Sequence, residues 1–259
     1  MNEALGNRMK AYEAVTRAVL PRRTYTILRV DGRAFHSYLR GCQRPYDLEF
    51  MKDMDAVAEA LCKEISGAVF AYTQSDEISV LLTDFATPNT QPWFGGVVAK
   101  MVSISASLAS VTLARRREEG TPLFDARVFT IADPIEVANY FIWRQRDCVR
   151  NSITMAAQAK FSHKRLHGVT TNQMQEMLFT EHSINWNDYP DRCKRGRVVI
   201  KDAGLQEVKY TDKRTQTVET TMAHRTWWEV RPAPHFSLDP GNFLTDEIPL
   251  YGLYTASQV

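Results

Sequence analysis

The residues best placed to do chemistry are carboxylates at the ends of apolar runs. "TYTILRV" (residues 24–30) is β-branched and aromatic and ends at Asp31 and Gly32, while "AVFAYTQSDEISVLL" (68–82) is two apolar runs around a polar block that holds Ser75, Asp76 and Glu77. If the first run neighbours the other two, Asp31 and Asp76 emerge at one edge of a sheet. Two carboxylates at close range repel unless a proton or cation neutralises them, and Mg²⁺ takes oxygen ligands from one or two carboxylates, filling its shell with water and phosphates. Two such ions clamp the attacking and leaving oxygens of a phosphoryl transfer. "DGRAFH" (31–36) suits a phosphate partner: Gly32 allows close backbone approach and successive amides meet at a turn, beside Arg33 and His36. Taken singly, Asp-Gly and Ser-Asp-Glu also read as plain turns.

Hydrophobic spacing supplies the elements that must position these groups. Leu5, Met9, Tyr12, Val15 and Val19 predict a helix over residues 1–20 that Pro21 ends, and Leu48, Met51, Met54, Ala58, Leu61 and Ile65 predict a second over 47–65 capped by Asp47. Residues 68–72 and 78–82 read as a hairpin around the polar block. A helix is expected over 94–117, a strand over 126–131, and a long helix from Asp133-Pro134 to about Phe161. The order is βαββαβ, an α+β pattern. Beyond it come a short helix over 172–178 and strands over 197–202 and 225–231, joined by the polar stretch "YTDKRTQTVETT". The organisation expected is a core over 1–135 and a long helix with a C-terminal helical and β-hairpin lobe over 136–259, packed as one unit.

The chain has 259 residues, 44% of them hydrophobic, enough to bury its own core. With 32 Lys and Arg against 30 Asp and Glu, a polyanion would need locally clustered cations. Cys42, Cys62, Cys148 and Cys193 are scattered without a CxxC pair, which fits a reducing compartment rather than a disulfide framework or zinc finger. No signal-peptide pattern and no apolar run of bilayer length is present, so a cytoplasmic location without membrane attachment is expected. His163 and His167 are four apart but lack a third ligand, so zinc is not expected. Trp227 and Trp228 are consecutive in a strand and face opposite ways.

Four motifs in order, "RVDGRAFHSY", "AYTQSDEISVLL", "WRQRDCVRN" and "EMLFTEHSINWNDYPDRCKRGRVVI", resemble the tRNA(His) guanylyltransferase family, including its guanylyltransferase-like members, across residues 25–200. The resemblance implies a palm-type fold like that of polymerases and nucleotide cyclases, with a ferredoxin-like core. It also implies nucleotide addition at an RNA 5′ end, in the 3′-to-5′ direction. By this resemblance Asp31, the Gly32 carbonyl and Asp76 hold two Mg²⁺ ions, and the stretch Gly32, Arg33, Ala34, Phe35 and His36, with Ser75, contacts a nucleoside triphosphate. Glu77 joins Asp31 and Asp76 among the catalytic candidates, in a supporting role. ATP, GTP and other nucleotides are the implied substrates, tRNA the partner and a homotetramer the assembly.

Arg144, Gln145, Asp147 and Asn151 are candidate contacts to the nucleotide or RNA end, and Lys160, Lys164 and Arg165 form a basic patch for acceptor-stem phosphates. The sequence also departs from the family. Val149, Arg150, Asn151 and Ser152 replace the His-Ile-Asn-Asn run associated with tRNA(His) choice, which resembles the branch that repairs 5′-truncated tRNA. On the helix after the hairpin, family members present a basic cluster for the activating nucleotide; Lys100 remains a nucleotide-binding candidate there, but Gly95, Gly96 and Val97 stand where positive residues are often found. G addition to tRNA(His), a palm-fold nucleotide cyclase and a non-catalytic RNA-binding protein are the other readings.

Overall fold

The computed structural model describes residues 3–117, 120–211, 213–237 and 243–252. Helix α1 (Glu3–Ala14) leads to strand β1 (Tyr25–Gly32), a single helical turn α2 (Phe35–Tyr38) and helix α3 (Leu48–Glu64). Hairpin strands β2 (Ala68–Gln74) and β3 (Glu77–Leu82) precede helix α4 (Val98–Ala114), strand β4 (Phe124–Ile131) and the long helix α5 (Pro134–Gln158). The remainder comprises α6 (His163–Leu166), α7 (Thr171–His182), α8 (Asp191–Arg195), the long strands β5 (Arg197–Thr211) and β6 (Val218–Pro232), and α9 (Phe243–Glu247).

All strands pair antiparallel in one sheet, ordered β4-β1-β3-β2-β5-β6. The first four form the expected ferredoxin-like core, and β5 extends the same sheet beyond residue 135. Both faces are covered, so alternation along a strand divides two apolar sets. Leu28 and Val30 of β1 and Ile78 and Val80 of β3 face α3 and α4. Tyr25, Ile27 and Leu81 face α5 and the segment carrying Ala233, Phe236 and Leu244. Beyond the sheet, the end of α5 packs Ile153, Ala156 and Ala157 against Leu166, Met174, Leu178 and Trp186.

Caps fix where the helices begin. The Asp47 side chain accepts from the Phe50 amide at 2.8 Å, and Asp133 accepts from the Ile135 amide at 2.8 Å with Pro134 in the first turn. Three expected boundaries move. The first helix ends at Ala14, and the segment after it forms a bridge between Val19 and Val97. Helix α4 starts at Val98 because Phe94 and Gly95 take φ of 50° and 62°, outside the helical region. The last two strands each run 15 residues and include much of the polar stretch expected as a connection, of which Asp212 lies outside the described residues.

Candidate active site

The β2–β3 turn and the end of β1 are tied together by one backbone bond: the Gly32 amide donates to the Asp76 carbonyl at 3.1 Å. Ser75 makes the turn in the left-handed region at φ 47°. Asp31 stands directly across from Glu77 in the β1–β3 register, so these side chains share the α5 face of the sheet. The two carboxylates expected at one sheet edge therefore meet there, with Glu77 as a third.

Each acid has a different environment. Asp31 pairs with Arg29 at 3.1 Å and lies 4.0 Å from Arg127. Glu77 is 6% exposed and takes both its bonds from Arg144, Nε to Oε1 at 2.7 Å and Nη2 to Oε2 at 2.6 Å, with Arg29 at 3.6 Å. Burial raises its carboxyl above the ordinary value while these cations pull against it. Asp76 has no cationic side chain paired with it among the described residues. Its carboxyl is pushed up to about 6, chiefly by burial, with the charges of Asp31 and Glu77 adding to the rise and its own amide and the Ser75 hydroxyl opposing it.

A cleft of about 530 Å³ opens beside Asp76, lined on one side by Gly32, Ala34, Phe35, His36 and Ser75. That volume lies within the roughly 300–1,000 Å³ of small-molecule sites. The amides of Ala34, Phe35 and His36 donate to no protein acceptor among the described residues. Ala34 itself is left-handed at φ 57°. Arg33 does not line the cleft; its amide anchors the loop to the Leu123 carbonyl at 2.8 Å. The Phe35 ring lies over Gly32, where an added Cβ would meet ring carbons at 2.6 Å. Gly32→Ala is therefore expected to displace Phe35 and the amide row, raising the KM for nucleotide at least tenfold in steady-state assays while the far-UV spectrum stays unchanged.

Of the α5 candidates, Asn151 lines the cleft, whereas Arg144 and Gln145 are turned inward. Arg144 is spent on Glu77 and Asp147. Gln145 donates to the Pro234 carbonyl at 2.7 Å and accepts from the Phe236 amide at 2.8 Å, clamping the chain after β6. Both are candidate contacts to the nucleotide or RNA end, and in the fold their polar groups are bonded to protein partners. Asp147 bridges Arg144 and Arg150 along the helix. Lys160, Lys164 and Arg165 are exposed just beyond Gln158, which lines the cleft, and Arg165 is held by Glu181 at 2.6 Å.

Lys100 is not brought to this edge of its own chain. Its neighbour Met101 adjoins Thr26 and Leu82 at the other end of the sheet, whereas Ser110, nine residues along α4, accepts from Phe124 beside Gly32. At 1.5 Å per residue, Lys100 stands roughly 15 Å down the helix from Ser110. Conversely, the far wall of the cleft holds residues that were not singled out as candidates: Arg44 and Tyr46, outside the four motifs, and Arg192 and Arg197, within the last of them. Arg192 and Arg197 both bond Asp55 of α3 at 2.6 Å, and the Tyr46 hydroxyl bonds Ser152.

The family model described as tRNAHis guanylyltransferase matches residues 6–132, and that of the family's C-terminal domain matches residues 135–232. The chain belongs to the tRNA(His) guanylyltransferase family. It is accordingly a nucleotidyltransferase. An uncharacterized protein of Acanthamoeba polyphaga mimivirus is 30% identical over 78% of each chain. The tRNA(His) guanylyltransferase of Debaryomyces hansenii is 29% identical over 69% of this chain and 74% of its own. A bacterial tRNA(His) guanylyltransferase-like protein solved in complex with ATP superposes with a TM-score of 0.80 at 36% identity, covering 94% of this chain and 98% of its own. The same kind of protein in complex with GTP gives 0.76. Among the described residues of this family member, no helix is long and apolar enough to cross a membrane.

Proposed function

We propose that this chain is a Mg²⁺-dependent nucleotidyltransferase that adds nucleotides to the 5′ end of tRNA in the 3′-to-5′ direction, and that its task is templated repair of 5′-truncated tRNA. The observation that carries this reading is the Gly32–Asp76 backbone bond, which joins the strand end carrying Asp31 to Asp76, itself in the wall of a cleft rimmed by amides without a protein acceptor among the described residues. The donor set fits Mg²⁺: Asp76 is an acid without a cationic partner, and this metal needs only one or two carboxylates when substrate phosphates complete its shell. Asp31, the Gly32 carbonyl and Asp76 would hold it. When bound, it neutralises triphosphate charge and polarises the phosphorus under attack.

The chain's own residues do the positioning. Amides of Ala34, Phe35 and His36 hold phosphate oxygens, Ser75 contacts the triphosphate from the turn, and Asn151 faces the nucleotide from α5. In the first step an oxygen of the RNA 5′-monophosphate attacks the α-phosphorus of ATP or GTP and pyrophosphate leaves. In the second, the 3′-hydroxyl of the incoming nucleotide attacks the RNA 5′-phosphate, and AMP or GMP leaves as the new diester forms. Neither step needs a covalent protein nucleophile, in keeping with a site built of acids, amides and cations.

Repair rather than G addition to tRNA(His) is favoured by Val149, Arg150, Asn151 and Ser152, of which Ser152 is buried as a joint for Tyr46 and Trp186. A cytoplasmic homotetramer is part of this reading; α4 carries a single charge, Lys100, and its exposed side bears Ile104 and Val111, which suits contact between copies. The test supplies a 5′-truncated tRNA, as monophosphate or triphosphate, with ATP and labelled nucleotides. Extension that follows the opposing 3′ nucleotide is expected. No extension of either RNA overturns the proposal, and a cyclic product from GTP or ATP alone would assign a cyclase instead.

A further inference from the structure

Trp143 is 53% exposed, an unusual surface residue for a side chain of that apolar area. It is not loose. The Arg144 guanidinium lies 4.4 Å from its ring centroid, and Tyr140 meets it edge-on at 5.9 Å. The edges of that guanidinium are fixed by Glu77 and Asp147. Glu77 in turn faces Asp31 across the strands, so the indole rests on the ion pair that abuts the catalytic acids.

Its side of the site is also defined. Gln145 faces Arg195 and Pro234 on the β5 side, and successive helical residues lie about 100° apart, so with Arg144 pointing at β3, Trp143 leans toward β4. On that flank β4 presents Arg127, 53% exposed, bonded to Asp125 at 3.2 Å and 4.0 Å from Asp31. None of Arg29, Arg127, Trp143 and Arg144 lines the cleft that holds the amide row. The acids thus separate two approaches: the cleft on one side and an aromatic platform with a cation on the other.

We propose that Trp143 is the stacking platform for the terminal base of the RNA end undergoing extension, with Arg127 beside it for the 5′-phosphate. This rests on the function proposed above. Stacking on an indole tolerates any base, as an enzyme extending ends of different sequence requires, and the pre-set Arg144 leaves little ordering to be done on binding. The nucleotide enters from the cleft and the RNA end from the β4 flank, so the two reactants meet across Asp31 and Asp76.

The test uses the full chain and a truncated tRNA carrying 2-aminopurine as its 5′-terminal nucleotide. Wild type is expected to quench the probe. Trp143→Ala and Trp143→Leu are expected to abolish quenching and raise the KM for RNA about 10- to 100-fold, leaving the KM for nucleotide unchanged, and Trp143→Phe to restore part of both. Trp143→Leu keeps apolar bulk, so a folding defect in the alanine variant leaves the test intact. Unchanged quenching and RNA KM in Trp143→Leu overturn the proposal. So does a variant that changes only oligomeric state, which would make the indole a contact between copies. Quenching by a wild type that extends no RNA would instead sink the functional reading and leave the platform standing.

Discussion

Asp76→Ala is expected to lower nucleotide addition about 10²–10³-fold or more, because it removes charge fixed where the phosphoryl group reacts. It should not unfold the chain. The Asp76 carboxyl sits at about 6 when folded against an ordinary value of 3.8, so the folded state binds its proton more tightly than the unfolded state does. Its contribution to stability is therefore fully present below about pH 4 and is lost as the pH rises through about 6. In chelator, Asp76→Ala should gain Tm relative to wild type between pH 4 and 7. Millimolar Mg²⁺ at pH 7.5 should raise the Tm of wild type but not of the variant, since an ion bound only by the folded state stabilises it. Activity retained in Asp76→Ala would remove these carboxylates from the chemistry.

The placement of Asp31 and Asp76 at one sheet edge was legible in the sequence because its signals are local. A β-branched run ending in Asp-Gly and a two-residue turn between apolar runs placed Asp31 and Asp76, and the antiparallel order of the core then left them one edge to share. What the sequence hid was inward charge. Arg144 stood among polar neighbours and was expected to reach substrate, although Val137, Tyr140, Phe141 and Cys148 recur at steps that put it on the buried stripe of α5. Its partner Glu77 is 67 residues away, a distance no local pattern bridges. The Arg192 and Arg197 contacts to Asp55 span 137 and 142 residues and were missed for the same reason.

The β5–β6 ribbon was underestimated for a different physical reason. Its outer halves pair from Lys201 with Trp228 to Thr211 with Val218 beyond the body of the sheet, and most of their side chains are exposed. A strand without a buried face is not obliged to alternate apolar and polar residues, so only its inner, covered portion carries a strand signature. The strands expected over 197–202 and 225–231 take in that inner portion and only the first pairs of the outer one.

Removing Arg144 is expected to be the most destabilising single change near the site. Arg144 is 6% exposed, and its guanidinium offsets a Glu77 that is equally buried and faces Asp31. Arg144→Ala leaves that carboxylate desolvated beside two others, which costs about 3–5 kcal/mol, measurable as a lower urea midpoint. With the cation gone, the Glu77 carboxyl, already raised by burial, rises further. The folded state then binds a proton that the unfolded state releases, so the variant should be least stable at neutral pH and recover as the medium is acidified toward pH 5. Glu77→Gln in the Arg144→Ala background should restore much of the loss at pH 7 by discharging the stranded acid, and the coupling from the full cycle gives the strength of the pair. The same variants separate scaffold from chemistry. If Glu77 serves only to fix Arg144, and through it the indole of Trp143, then Glu77→Gln with Arg144 intact raises the KM for RNA more than it lowers kcat. A kcat loss as deep as that of Asp76→Ala would instead make Glu77 a third catalytic acid.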